Sequence, residues 1–469
     1  MLQIIKNEWQ FLTRSKIFLG IAIGFFSILI VSVYFGNLEN EKLQSKGNDA
    51  KKHLREKWVS IEEMNPHSAA HYGTYIFKPT NLLSSLDDGV TSVTGNVIKV
   101  EGHVQNEIVH SAASQSQVIS RFGKLKSSLL LQYIVPLLLI FLAFNSISSE
   151  KQSGRLKLLI LQGAKPTKLI LAKTLSVWLY GLVLLLIVVV TYAFLNVDNI
   201  NTEILSRTLL FFSTYLLYYF VVTGLTIFFS IQFKTPTLGL TTMLGIWILW
   251  TIFLPNILMS SVENWYSLPT RNEFKTAMKE DRAKGLDGHN PSDERGKELE
   301  QSVLREYKVD SLHKLPINFD GIRMQADEEY GNIVWDKHFG NNKMVMQQQK
   351  KSFQFAGILN PFISLQNSSM GFAASDNLHH QEFLLQVENY RRVFIKMLND
   401  KHTFGGSKTG DWSWKADNAF FKSVPDFEYK PTKINQAISN YLIDILVLII
   451  WSILIIFLLL YASKKNKIV

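Results

Sequence analysis

Long apolar blocks alternate with charged stretches along this chain, and six of the blocks stay free of charge for long enough to cross a bilayer. They are Ile17–Leu38, Ser127–Ser149, Thr174–Val197, Thr208–Phe233, Thr235–Val262 and Ile445–Ser463. About 20 apolar helical residues cross a hydrocarbon core about 30 Å thick, so each block predicts one transmembrane helix. The first block is too long for the core of a cleaved leader and no small-residue cleavage pattern follows it, so it counts as a span. The expected fold is a polytopic α-helical membrane protein with spans at residues 17–38, 127–149, 174–197, 208–233, 235–262 and 440–463. A seventh charge-free run, Phe353–Ser375, carries Gln354, Asn360, Pro361, Gln366 and Asn367. Those groups are costly in lipid, and the run reads as a buried or membrane-surface segment of a soluble domain.

Residues 39–126 and 263–433 are too long to be simple loops and predict two folded domains on one side of the membrane. In the first, the charged stretch Glu39–Trp58 extends span one as a helical stalk. Apolar alternation punctuated by Gly and Asp over Leu86–Val100 predicts a short β element, and a helix from about Ile108 leads into span two. That makes the first domain mixed α/β. The second reads as mostly helical, with Ser292 or Asp293 capping a helix toward Tyr307. Phe383, Val387, Tyr390, Phe394 and Met397 recur at helical spacing within Asn377–Lys401, which predicts an amphipathic helix with one packed face. The stretch Phe404–Asp426 holds Gly405, Gly406, Gly410, Trp412 and Trp414 and reads as a loop.

Charge gives the orientation. The 469 residues carry a net charge of +10, only 19% of them are charged, and there is no cysteine. Disorder and a disulfide scaffold are excluded. The excess basic residues are not spread evenly. Lys6, Arg14 and Lys16 face Glu8 in the N-terminal tail, and Lys151, Arg155, Lys157, Lys165, Lys168 and Lys173 face Glu150 alone between spans two and three. Lys234, Lys464, Lys465 and Lys467 complete a set that holds more than the whole net charge of the chain. Lysine and arginine in short loops favour the cytoplasm, so both termini are cytoplasmic and the two large domains are extracytoplasmic. The basic pI then records membrane orientation, and no nucleic-acid partner is implied.

The most informative connection is 150–173. Leu156, Leu159 and Ile160 form an apolar stripe beside Arg155 and Lys157, followed by a break at Gly163-Ala164-Lys165-Pro166. A short amphipathic cytoplasmic helix of this kind suits either a groove on a partner protein or the lipid interface. The pattern Glu150-x3-Gly154-x-Leu156, with the Gly/Pro break and Lys173 opening the next span, resembles the type-2 ABC transporter permeases. Arg155 stands where that family usually has Thr. The resemblance implies a coupling helix at Glu150, Gly154, Arg155, Leu156, Lys157, Leu159 and Ile160 that docks on a separate ATP-binding subunit. It extends to the start of the chain, where Trp9, Leu12 and Arg14 lie in a stretch (residues 1–16) similar to the family's amphipathic elbow helix. Leu2, Ile5, Trp9 and Leu12 supply its apolar, lipid-facing side. Asn65–Tyr75, Ser120–Gly123 and Leu359–Leu398 resemble a subgroup with large outer domains. Pro255 and Asn256 fall where the family has short broken helices closing the outer side of the pathway. A re-entrant end to span five is the expectation there, beside the simpler reading of a span ended by proline.

No acid, base or histidine lies deep in a predicted span, so a proton- or ion-coupled pump is disfavoured. The sequence has no G-x-x-x-x-G-K-[ST] phosphate-binding loop, so the chain is not expected to be an enzyme. No cofactor is expected in this chain, and ATP and Mg are expected on the partner ATPase that the resemblance implies. All 11 histidines lie in the two outer segments. His67 and His71 share a helical face and His379-His380 are adjacent, but no third ligand is placed by spacing and no H-E-x-x-H occurs, so no metal site is expected. G-x-S-x-G is also missing, and Trp412 and Trp414 are expected to anchor at the interface.

The resemblance implies a permease subunit of an ATP-driven exporter in the bacterial inner membrane, with two large domains on the periplasmic side. It is expected to pair with a second permease, identical or closely related. An alternative in the same family, as in nitrous-oxide-reductase maturation, is a complex that moves no solute and transmits motion to a periplasmic partner.

Overall fold

A computed structural model describes residues 1–105, 108–110 and 125–464. Among the described residues, six helices are long and apolar enough to cross a membrane: Lys16–Val59, Ser127–Gln152, Pro166–Leu195, Thr202–Gln232, Pro236–Trp265 and Ile434–Lys464. The second, third, fifth and sixth pack around the fourth, whose Phe211, Tyr215, Tyr218 and Tyr219 are wholly buried, and the first packs on the third. In lipid, helices associate through close packing and hydrogen bonds, so small residues at contacts matter. Gly224 shows why: a Cβ there would collide with Ile455 of the sixth span helix.

The first span helix is 44 residues long, about 66 Å at 1.5 Å per residue. That is roughly twice the hydrocarbon thickness, and the charged outer half, from Glu39 on, continues the apolar half without a break. Ser15 caps its start by accepting from the Phe18 N–H.

The outer segments depart from the expected pair of domains. A three-stranded antiparallel sheet forms from β2 (Thr74–Phe77), β3 (Val97–Val100) and β4 (Ile108–His110). Only the end of Leu86–Val100 is therefore strand, and Ile108–His110 is a strand where a helix was expected; residues 111–124, with Ser120–Gly123, lie outside the described residues. Strand β1 (Glu63–Met64) pairs with β5 (Ala416–Asp417), which lies some 350 residues further along the chain. Trp58, Ala69, Ile76 and Ile98 share one core with Phe383, Val387, Phe394, Leu398 and Phe421. The apolar face predicted on the Asn377–Phe404 helix is thus filled by the first outer segment. The two segments make one outer unit. Phe404–Asp426 is a loop interrupted by β5 and a short helix, Asn418–Ser423, and Ser292 is the first residue of its helix, with Pro291 as the cap.

Two further expectations change. Span five does not fold back at Pro255: the chain stays helical to Trp265, with a wider π-type turn at Leu249–Phe253 just before the proline. Such a turn accommodates the missing N–H and the ring without ending the helix. The second half of the Phe353–Ser375 run is buried, as one of the two readings had it, but in the core of the spans and not in a soluble domain. Phe355, Ile358 and Leu359 stay exposed. The run bends at Gly357–Asn360 into a 12-residue helix, Pro361–Phe372, whose Phe362, Leu365 and Phe372 enter the same core as the spans. At 12 residues it is too short to cross a bilayer itself.

Candidate functional site: the coupling hairpin and the outer plug

Between spans two and three the chain forms two short helices, Ser148–Gln152 and Arg155–Leu161. Gly154 joins them with φ of 73°, a left-handed conformation that glycine adopts without steric cost. Gly163 repeats the device with φ of 92°, and Pro166 sits in the first turn of the third span helix. The hairpin is held from several sides. The backbone N–H groups of Ile147 and Ser148 donate to Ser230 Oγ at the end of span four, at 3.2 and 3.1 Å. The hydroxyls of Thr167 and Ser463 meet at 2.9 Å, joining span three to span six.

Its centre is Lys173, only 3% exposed, whose Nζ donates to Glu8 at 2.6 Å and to Glu150 at 2.9 Å. One ammonium therefore ties the elbow helix (Leu2–Thr13), the coupling hairpin and span three into a single knot. Trp9 reinforces it: its Nε1 donates to the Ser176 carbonyl at 3.2 Å, and its ring stacks on Tyr180 with centroids 4.2 Å apart. A buried cation with two carboxylates is strongly coupled to both, because removing a partner strands a charge away from water.

At the opposite end, polar side chains of the inserted Pro361–Phe372 helix lock it among the spans. Asn360 Nδ2 donates to the Trp250 carbonyl in the π turn at 2.8 Å, and Asn367 Nδ2 donates to Asp444 at 2.9 Å. Gln354 Nε2 donates to the same carboxylate at 2.6 Å. The hydroxyls of Ser369 and Tyr215 meet at 2.8 Å, and Ser369 also donates to Asp87 of the first outer segment. Burial pushes the Asp87 carboxyl above its ordinary range, against the Ser369 hydrogen bond that lowers it. The helix sits within the bundle, bonded to spans two, four, five and six and to the outer unit.

Residues 40–271 match the family described as ABC-2 family transporter protein. That match, over just under half of the chain, supports a permease of the type-2 ABC transporters. Residues 271–430 match a domain of unknown function, DUF3526. No curated protein matches the chain. The permease is a multi-pass membrane protein, and its family implies association with an ABC ATP-binding subunit.

Within the permease, the residues singled out from the sequence divide into two groups. Glu150 and Gly154 sit in the knot and at the turn. Of the apolar stripe, Leu156 is buried and Leu159 and Ile160 are half-buried, so that side holds the hairpin to the bundle. The free face instead presents Arg155, Lys157, Leu158 and Leu161, with Leu158 59% and Leu161 74% exposed. In the elbow, Trp9 and Leu12 are half-buried and Arg14 is exposed. Pro255 lies within a continuous helix, and the exposed Asn256 donates to its own helix at Ile252. The partnership of Lys173 with Glu8 was missed, yet a signal existed: a lysine opening a span, with one acid in the N-terminal tail and one in the preceding connection, requires a partner.

Proposed function

We propose that the permease is the membrane subunit of an ATP-driven exporter, coupling hydrolysis on a separate subunit to movement of its cargo. The Lys173 knot carries this reading. A push on the face formed by Arg155, Lys157, Leu158 and Leu161 reaches span three and the elbow through one ammonium, and span four through Ser230. ATP and Mg are bound by the partner ATPase. Two permeases, identical or closely related, assemble with two ATPases in the inner membrane of a bacterium. The termini face the cytoplasm, where basic residues concentrate, and the outer unit faces the periplasm. Tilting of spans four and six then loosens the Pro361–Phe372 plug, and the outer unit receives or gates the cargo.

Copurification tests this reading. The intact complex extracted from native membranes is expected to contain a P-loop ATPase and at least two permease copies; a complex without an ATPase refutes it.

A second reading is favoured by the rigid seam between the first and second outer segments. The shared core and the β1–β5 pair transmit bundle motion to the whole outer unit. The complex would then drive a periplasmic partner and move no solute. A sealed interface between paired permeases throughout the ATP cycle supports this reading, and a continuous polar or lipid-sized pathway supports export.

A further inference from the structure

Three histidines from two separate parts of the first outer segment converge beside the seam of the outer unit. His67 and His71 lie one turn apart on the helix Pro66–Tyr72, which Asn65 caps and Pro66 opens. Their Nε2 atoms are 3.2 Å apart. His103 arrives from the segment after β3, at a backbone φ of 63° that a non-glycine residue seldom adopts. The Gly102 N–H donates to the Ala70 carbonyl at 2.9 Å, which fastens this segment against the same helix. One ring nitrogen from each histidine lies within 4.8 Å of the other two.

The third imidazole is held in place by a buried charged network. Its Nδ1 is 3.3 Å from Glu328 Oε1, and its backbone N–H donates to the same carboxylate oxygen. Glu328 is buried and fixed in turn by Arg391 at 2.7 Å, while Arg282 donates to the His103 carbonyl at 3.0 Å. A carboxylate on one imidazole nitrogen sets the tautomer and leaves Nε2 with its lone pair, as in the carboxylate–histidine–metal arrangement. Trp412 packs beside His67 with ring centroids 5.3 Å apart and walls one side, whereas His71 is exposed. Two nitrogens bound to Zn2+ at about 2.0–2.1 Å with tetrahedral angles lie about 3.3 Å apart, which the first pair already matches. Neutral imidazoles select Zn2+ and its transition-metal neighbours over Mg2+ and Ca2+.

We propose that His67, His71 and His103 form a site for one divalent transition-metal ion of the Zn2+ type in the outer unit, with water in the fourth position. His103 also lines a cleft of about 1060 Å3 shared with Phe274, Arg282, Trp335 and Arg391 of the second outer segment. A bound ion therefore links the Pro66–Tyr72 helix, the segment after β3 and, through Glu328, the DUF3526 part of the chain. The expectation of no metal rested on two ligands; the fold supplies the third. The inference is independent of what the permease transports.

The test uses the full-length purified protein, its affinity tag removed and its metals stripped, titrated with Co2+ as a visible probe and then with Zn2+ in competition. One equivalent of Co2+ is expected to give the intense visible bands of a four-coordinate ion and to be displaced by Zn2+. His67→Gln, His71→Gln and His103→Gln are each expected to weaken binding at least about 100-fold, and Glu328→Gln about 10–100-fold. His289→Gln, at an exposed histidine elsewhere, leaves it unchanged. No stoichiometric Co2+ binding, or binding that survives His67→Gln and His103→Gln, overturns the proposal and leaves His67 and His71 as a hydrogen-bonded imidazole pair. Should a variant fail to fold, the wild type still decides: Zn2+ is expected to protect His67, His71 and His103 from diethylpyrocarbonate, but not His53 or His289. Equal modification of all five with and without Zn2+ refutes the site.

Discussion

Lys173 is 3% exposed and is shared by two carboxylates on different elements, Glu8 at 2.6 Å and Glu150 at 2.9 Å. Replacing Glu150 alone by Gln removes one charge-assisted bond, but Lys173 keeps Glu8 as its counter-charge. The loss is expected to be about 1–2 kcal/mol, near the low end for hydrogen bonds to charged groups. Glu8→Gln should behave alike. The double variant leaves an ammonium buried beside two neutral amides, a condition that costs about 3–5 kcal/mol. The double loss should therefore exceed the sum of the single losses by about 1 kcal/mol or more, the behaviour of residues in one network. Thermal melting of the purified permease would read the stability half of this cycle, and permease-stimulated ATP hydrolysis in the assembled complex would read the functional half. The single variants should insert normally, and the double variant should lose most of the stimulation while the ATPase alone is unaffected. Strict additivity within about 0.5 kcal/mol would refute the idea that one lysine joins elbow and hairpin.

Other predictions follow from the same structure. Gly154→Leu places a side chain at φ of 73°, which costs about 1–2 kcal/mol and reorients the Arg155–Leu161 helix; stimulated ATP hydrolysis should fall while membrane insertion persists, and Gly154→Asn should recover part of it. Arg391→Met removes the arginine that Glu328 and Glu388 share, leaving Arg392 on Glu388 and His103 on Glu328, a cost of up to about 3–5 kcal/mol; limited proteolysis should cut the outer unit of this variant while the span bundle stays intact. His380 is buried beside Lys78, and burial, then the nearby ammonium, lowers its pKa from 6.5 to about 4. Between pH 6.5 and 4 the unfolded chain binds a proton there that the folded chain refuses, so stability falls as pH drops through that window, by on the order of 3 kcal/mol. The melting point of His380→Asn should be less acid-sensitive than that of the wild type over this range.

The six spans were legible because lipid imposes its demand on every residue of a segment, so the signal is carried by consecutive positions. The position of Gly154 was legible for a similar reason, since the turn it makes is local. The outer unit was not legible as one body. Trp58 donates to the Phe421 carbonyl at 3.0 Å, and Arg55 to that of Val424 at 2.7 Å, but partners more than 350 residues apart leave no periodicity. The polar residues of Phe353–Ser375 correctly argued against a lipid-crossing helix. Their real role, hydrogen bonding to Trp250, Tyr215 and Asp444 inside the bundle, depends on partners from other helices. The direction of the coupling face also depends on tertiary packing, because Leu156 and Leu158 differ in surroundings and not in chemistry.

In the proposed mechanism an ATP-binding subunit pushes on the free face of the Arg155–Leu161 helix. A photo-crosslinking amino acid placed at Leu161 in native membranes tests it most directly, with the lipid-exposed position Val190 of span three as the control. A Leu161 adduct with a P-loop ATPase is expected, and only lipid adducts from Val190. An absent ATPase adduct at Leu161, or the same adduct from both positions, would contradict this mechanism.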